Sequence, residues 1–146
     1  MLDRLIKLRE ERAEGDQGFT LIELLVVVVI IGILIAIAIP LYLHFQNGAK
    51  NKSAESDVRA AVSVVEQCIN DNAGALPGVP TGSGTKDTNL VFSCGGSLTE
   101  TANVSTGNTL TYSVNTSPAG TYTITGVNAD ANQTYTYDSA NGGSIK

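Results

Sequence analysis

Hydrophobic and polar positions change their rhythm along this chain. Residues 24–43 form an apolar run without a single charged side chain. At about 1.5 Å of rise per residue, such a run spans roughly 30 Å as a helix, the thickness of a bilayer's hydrocarbon layer. One membrane-spanning helix is therefore expected. From Ala54 onward the pattern becomes a stripe, with Val58, Ala61, Val62, Val65 and Ile69 at spacings of three and four, the signature of an amphipathic helix with one buried face. Glu55, Asp57, Arg59 and Glu66 are read as lying off that stripe, and "NAGALPG" (residues 72–78) supplies the stop. A helix from Phe19 to about Asn72 would reach roughly 80 Å. No domain this small covers that length, so the first half is expected to project alone and the second half to form one wall of a compact head.

Beyond Gly78 the period shortens to two. "VPTGSGTKDTN" (residues 79–89) reads as a loop and "LVFSC" as a short strand. "TLTYSVN" (109–115), "TYTITGV" (121–127) and "QTYTYD" (133–138) alternate Thr with Leu, Tyr, Val or Ile, as strands buried on one face do. "TSPAG" and "NADAN" between them are turn chemistry. The expected class is α+β: a long N-terminal helix whose second half packs on an antiparallel meander, the other face of which is a threonine surface. The organisation expected is a leader over residues 1–18, an apolar helix over 19–53 and a head over 54–146.

Charge adds little. The 146 residues carry a net charge of −5, of which residues 1–18 account for −1. An acidic chain has no long-range field for nucleic acid or anionic lipid, so any such contact would be a local patch. Lys50, Lys52 and Arg59, near Tyr42 and Phe45, are the candidate patch, read either as an anchoring collar at the membrane surface or as a site for DNA.

The order of the N-terminal segments excludes an ordinary secretory signal, in which the apolar stretch precedes the cleavage site and is removed. Here "GFTLIELLVVVVIIGILIAIAIP" begins with a candidate cleavage site, Gly18–Phe19, before the apolar run. This segment resembles the N-terminus of type IV prepilins nearly position by position: the glycine before the cut, the aromatic after it, the acid four residues on, Gly32 and Pro40. The resemblance implies a cytoplasmic leader removed after Gly18 by a membrane-embedded prepilin peptidase, N-methylation of Phe19 by the same type of enzyme, and assembly of identical subunits by a pilus machinery into a surface filament. Before assembly the subunit would sit in membrane lipid as a single-pass protein; afterwards it would be extracellular. The leader's five acids depart from the commonly basic leaders of that family. Four Lys/Arg precede the helix while Lys50, Lys52 and Arg59 follow it, so orientation rests on the cleavage motif rather than on the positive-inside rule.

Three features then become candidate sites. Glu23 is an acid at the head of an apolar run, where a charge costs roughly 2.5 to 3.5 kcal/mol. A partner or a function is implied: cleavage creates a candidate partner in the amine of Phe19, on the same chain or on an incoming subunit, and the alternative is a protonated or water-facing acid near the interface with no role in assembly. Pro40 removes a helical hydrogen bond and Gly48 loosens the next turn; either the membrane helix tolerates both, or this region bends or melts when subunits pack. Cys68 and Cys94 are expected to pair, since an extracytoplasmic head permits disulfides and a small head needs a staple.

Enzyme chemistry finds no footing. The single histidine, His44, lies at the membrane exit of the helix, far along the chain from the serines of the head, so no nucleophile is offered a base. Asp87, Glu100, Asp130 and Asp138 read as separate loop acids. No cofactor or metal is expected. "NADANQ" (128–133) has alternating oxygens but lacks the glycine and terminal glutamate of an EF-hand loop. Related pseudopilins often carry calcium in this part of the head, and the spacing here leaves that open. Three functions fit: a structural subunit of a type IV pilus-like filament, a pseudopilin or minor pilin of a secretion or competence system, and a membrane-anchored adhesin module.

Overall fold

The computed structural model describes residues 18–78, 83–131 and 133–146. Residues 1–17 of the expected leader lie outside the described residues, as do residues 79–82 of the expected loop. The fold is α+β. Among the described residues, one α-helix, α1 (Leu21–Asp71, 51 residues), is followed by six strands. These are β1 (Ser83–Thr85), β2 (Leu90–Ser93), β3 (Thr99–Ala102), β4 (Asn108–Asn115), β5 (Thr121–Asn128) and β6 (Thr134–Asp138), with a short 3-10 helix at Ser139–Asn141.

The chain divides into two compact units between Tyr42 and Leu43. In the first, the apolar side chains of the helix are exposed around its whole circumference, and the helix is long and apolar enough to cross a membrane. Helical structure continues through both Pro40 and Gly48. In the second unit, Ala54, Val58, Ala61, Val65 and Cys68 are fully buried, with Val62 and Ile69 packed at the margin. The helix ends where "NAG" turns it. Ala73 (φ 52°) and Gly74 (φ 87°) take left-handed backbone, and the Gly74 N–H closes on the Ile69 carbonyl at 2.8 Å.

The expected meander exists as β4, β5 and β6, paired antiparallel with Tyr112 opposite Ile124 and Gly126 opposite Tyr135. It is not the whole sheet. β1 adds to the outer side of β4, giving the order β1-β4-β5-β6, while β2 and β3 form a separate antiparallel pair. The 79–89 segment was expected to be all loop and contains β1; β3 was not expected at all. Both lack an alternating apolar signal. β1 is "SGT", and its Gly84 lies so close to the following turn that an added Cβ would sit 2.6 Å from the carbonyl carbon of Asn89. β3 is "TETA", with Ala102 its only buried side chain.

The core joins the α1 face to Leu90 and Phe92 of β2, Leu110 and Tyr112 of β4, and Tyr122 and Ile124 of β5. Phe92, Tyr112, Tyr122 and Tyr137 form a run of aromatic rings with centroids 5.2, 5.7 and 5.6 Å apart. At Gly126 the sheet meets the helix most closely: a Cβ there would collide with a Val58 methyl and lie 3.1 Å from the Ala54 carbonyl oxygen. Glycine is required at that point by contact rather than by backbone conformation.

One residue falls on the opposite side from its expected place. Asp57, read as off the buried stripe, is only 7% exposed. Its spacing of three from Ala54 and four to Ala61 is that of the stripe itself; its charge misled the reading. The structure satisfies it from the other side of the head, as described next.

Candidate functional site

The first site lies where the helix begins. Residues 18–20 are non-helical and exposed, and Thr20 occupies the N-cap position immediately before Leu21. The Thr20 carbonyl accepts the first helical bond from Leu24 N–H at 3.3 Å. Its hydroxyl donates to Glu23 Oε2 at 2.6 Å, its backbone N–H donates to the same oxygen at 2.9 Å, and its hydroxyl oxygen accepts from Glu23 N–H at 3.3 Å. This is a capping box, in which two groups left without helical partners are satisfied reciprocally. Phe19 and Glu23 line one apolar groove of about 410 Å³ with Ile22, Val26 and Val27. The pattern Thr-x-x-Glu before an apolar run carries this cap in the sequence, where Thr20 otherwise reads as an ordinary member of the motif.

The second site is the disulfide. Cys68, near the end of α1, is bonded to Cys94, the residue after β2, with Cα atoms 4.8 Å apart. Both sulfurs are buried.

A buried polar cluster is the third feature. Asp57 Oδ2 accepts from Ser105 N–H (2.8 Å) and from the Asn108 amide (2.7 Å), and its Oδ1 accepts from the Ser105 hydroxyl (2.8 Å). The Asn108 amide also donates to Ser53 Oγ, and Asn108 Oδ1 accepts from the Asn128 amide at 2.6 Å. Asn108 and Asn128 sit in register on β4 and β5 with their side chains on the core face. They continue the period of two set by Leu110, Tyr112, Tyr122 and Ile124, so the pattern placed them even though their polarity hid them.

The basic patch does not survive as a patch. Lys50 donates to Asp130 at 3.0 Å, while Lys52 and Arg59 both reach Glu55 at 2.7 Å. Hydrogen bonds from Arg59 and then Lys52 hold the Glu55 carboxyl below the usual range, and Glu55 in turn raises the Lys52 ammonium. The three cations thus share two carboxylates, which leaves one positive charge uncompensated and only a weak local field for a nucleic acid. Asp130, the acid of the "NADAN" turn, is thereby engaged by Lys50, and residue 132 of that turn lies outside the described residues. Among the described residues no group of three or more His, Cys, Asp or Glu is gathered as metal ligands would be.

The remaining candidate groups do not converge. His44 packs edge-on against its neighbour Phe45, with centroids 6.3 Å apart. Asp138 caps the 3-10 helix, accepting from Ala140 N–H at 2.9 Å. Burial pushes the Tyr112 phenol up to about 12, and burial together with its 2.6 Å bond to Glu66 pushes Tyr122 higher still. Raised phenols of this kind belong to the core, where they stay neutral.

Comparison with known proteins bears on the N-terminal site and on the head. A family model described as the prokaryotic N-terminal methylation motif matches residues 15–39. The chain is 37% identical over 119 residues to the type IV major fimbrial protein FimA of Dichelobacter nodosus, covering 80% of this chain and 75% of that one. It is 53% identical over 45 residues to the type IV major pilin protein PilA of Myxococcus xanthus, covering 31% of this chain but only 20% of PilA. It is 42% identical over 57 residues to the type II secretion system core protein G of Pseudomonas aeruginosa, covering 39% and 40%. Against PilA and two fimbrial proteins of Pseudomonas aeruginosa, the match spans between one fifth and about a third of the relative's length. No solved structure matches the chain significantly.

Proposed function

This chain belongs to the type IV pilin family, and from that premise we propose that it is the repeating structural subunit of a type IV pilus-like surface filament. The observation that carries the reading is the alignment with the fimbrial protein. It takes in 80% of the chain, more than either compact unit contains, so it extends into both the apolar helix and most of the head.

In this reading a prepilin peptidase cuts between Gly18 and Phe19 on the cytoplasmic side, and the new amine of Phe19 is methylated. The subunit waits in membrane lipid, anchored by its apolar helix, with the head outside. Assembly machinery then transfers it into a helical homopolymer, where copies of the same helix replace lipid around the apolar circumference. Glu23 meets the amine of Phe19 on a neighbouring subunit, so that two charges enter the apolar interior as a pair. Burying an ion pair often gains little net energy, whereas leaving one member unpaired costs about 3 to 5 kcal/mol. The pair therefore sets register and recruitment more than stability. Pro40 and Gly48, both within a continuous helix in the isolated chain, are where the helix would bend or melt under packing.

The test is to shear cells and fractionate the supernatant. Processed protein beginning at Phe19 in high-molecular-weight filaments supports the proposal; protein retained wholly in the membrane overturns it. A second reading is favoured by the similarity to a type II secretion core protein: a pseudopilin of a secretion system. In that case shearing releases none, and deletion of the gene blocks secretion of folded exoproteins.

A further inference from the structure

We infer that Thr20 is a positioning residue for leader removal: by capping the helix one residue after Phe19, it keeps the Gly18–Phe19 peptide out of the helix, in a form that a peptidase can bind. The inference rests on the processing reading above.

Cleavage is hydrolysis. Water adds to the Gly18 carbonyl carbon, the bond to the Phe19 nitrogen breaks, and a carboxylate on Gly18 and an amine on Phe19 result. The attack needs that carbonyl free of other bonds and its face open. Inside a helix the carbonyl of residue 18 would be committed to the N–H of residue 22, with the surrounding turn covering the peptide. Among the described residues, α1 instead opens with the bond from Leu24 N–H to the Thr20 carbonyl. Gly18 and Phe19 are non-helical and exposed, and Phe19 is 80% exposed.

The boundary is held by the three hydrogen bonds between Thr20 and Glu23. Without them the helix can start earlier. The next upstream side chain able to cap is Asp16; a helix begun there would carry Gly18 and Phe19 as its second and third residues. Gly18, a poor helix former, opposes this in the same direction as Thr20. The two residues of the box thus have separable duties. Thr20 sets where the helix starts through its hydroxyl, which accepts the residue-23 N–H whatever the side chain there; the Glu23 carboxylate, which accepts the other two bonds, supports the box before cleavage and exchanges them for the amine on assembly.

The experiment uses the full-length precursor in detergent or membranes with a prepilin peptidase, measuring initial rates over a range of precursor concentrations. Substrate whose competent conformer is only fractionally populated shows a KM raised by that fraction, so Thr20→Val and Thr20→Ala should raise KM about threefold to tenfold with little change in kcat. Thr20→Ser keeps a hydroxyl that donates to Glu23 Oε2 and accepts the Glu23 N–H, and should behave as wild type. Backbone chemical shifts of Gly18 and Phe19 should move toward helical values in Thr20→Val and not in Thr20→Ser. Wild-type kinetics for Thr20→Val, or equal slowing in Thr20→Ser, overturns the inference while leaving the cleavage site intact. A wild-type precursor that is not cut between Gly18 and Phe19 overturns the processing reading itself.

Discussion

One helix carries two acids at informative places, and they are satisfied in opposite ways. Glu23, in the apolar unit, takes its hydrogen bonds from Thr20, three residues away on the same turn. Asp57, in the head, takes its bonds from Ser105 and Asn108, about fifty residues away in sequence. The side chains around them differ likewise. Around Glu23 the neighbouring apolar residues are exposed, from Leu21 at 83% to Val26 at 49%; beside Asp57, Ala54, Val58 and Ala61 are at 0%. Up to Tyr42 the helix must find its environment outside the chain; from the Lys50 contact onward the chain supplies it. A substitution before Tyr42 should therefore change insertion, processing or assembly and leave the folding of the head alone. A substitution after Lys50 should do the reverse.

The largest expected effect tests the first half. Glu23→Val keeps the residue-23 N–H bond to the Thr20 hydroxyl and should insert and be cut, with a KM raised no more than in Thr20→Val, yet give almost no filaments when it is the only subunit present, because the incoming amine of Phe19 would enter the apolar interior unpaired. Its head should melt at the wild-type temperature. Quantifying sheared filaments and the melting of the detergent-extracted subunit in parallel checks both statements. Abundant filaments from Glu23→Val alone would break the division of labour.

In the second half the largest effect should come from the disulfide. Cys68→Ser with Cys94→Ser opens a loop of sequence separation 26, which the chain-entropy model values at roughly 3 to 4 kcal/mol. Chemical denaturation of a soluble fragment starting at Lys50 measures it. That starting point keeps the Lys50–Asp130 and Ser53–Asn108 contacts. Gly126→Ala should follow at about 1 to 3 kcal/mol, the cost of forcing a methyl into a filled space, since the helix at Val58 and Ala54 has no room to give. Both should leave leader removal at the wild-type rate.

These two halves also differ in how far the sequence revealed them. The apolar run, the amphipathic stripe and strands β2, β4, β5 and β6 were legible, because each repeats an apolar residue at the period of its element. β1 and β3 were not, since "SGT" and "TETA" are held by backbone pairing and by the close fit of Gly84, and neither leaves a periodic trace. At the N-terminal site, Phe19 and Glu23 stood out as chemistry, but Thr20 looked like an ordinary member of the motif until its three bonds to Glu23 were seen. Asp57 shows the converse. Its position obeyed the stripe and its charge argued against burial; the donors that resolve the conflict, Ser105 and Asn108, are too distant in sequence to be read.

Asp57 also gives the finest test of the comparison, because its effect should be small or sizeable according to what replaces it. The carboxylate uses one oxygen for two N–H donors and the other for the Ser105 hydroxyl. Asparagine can keep its carbonyl oxygen on the side of the two N–H groups and point its amide at Ser105 Oγ, which would then accept instead of donate. Every group stays paired, and the loss is the extra strength of charged over neutral hydrogen bonds, about 1 kcal/mol. Alanine offers no such exchange. It deprives the buried Asn108 amide of one of its two acceptors, at roughly 1 to 3 kcal/mol for a buried donor left short of a partner, while the Ser105 N–H, on an exposed residue, exchanges the carboxylate for water. Asp57→Asn should therefore shift the denaturation midpoint of the Lys50 fragment slightly and Asp57→Ala distinctly, with unchanged m-values. If both cost the same, the charge itself and not the hydrogen-bond count holds β4 to the helix. If neither costs anything, the head does not depend on this cluster, and the contrast with Glu23 is one of position alone.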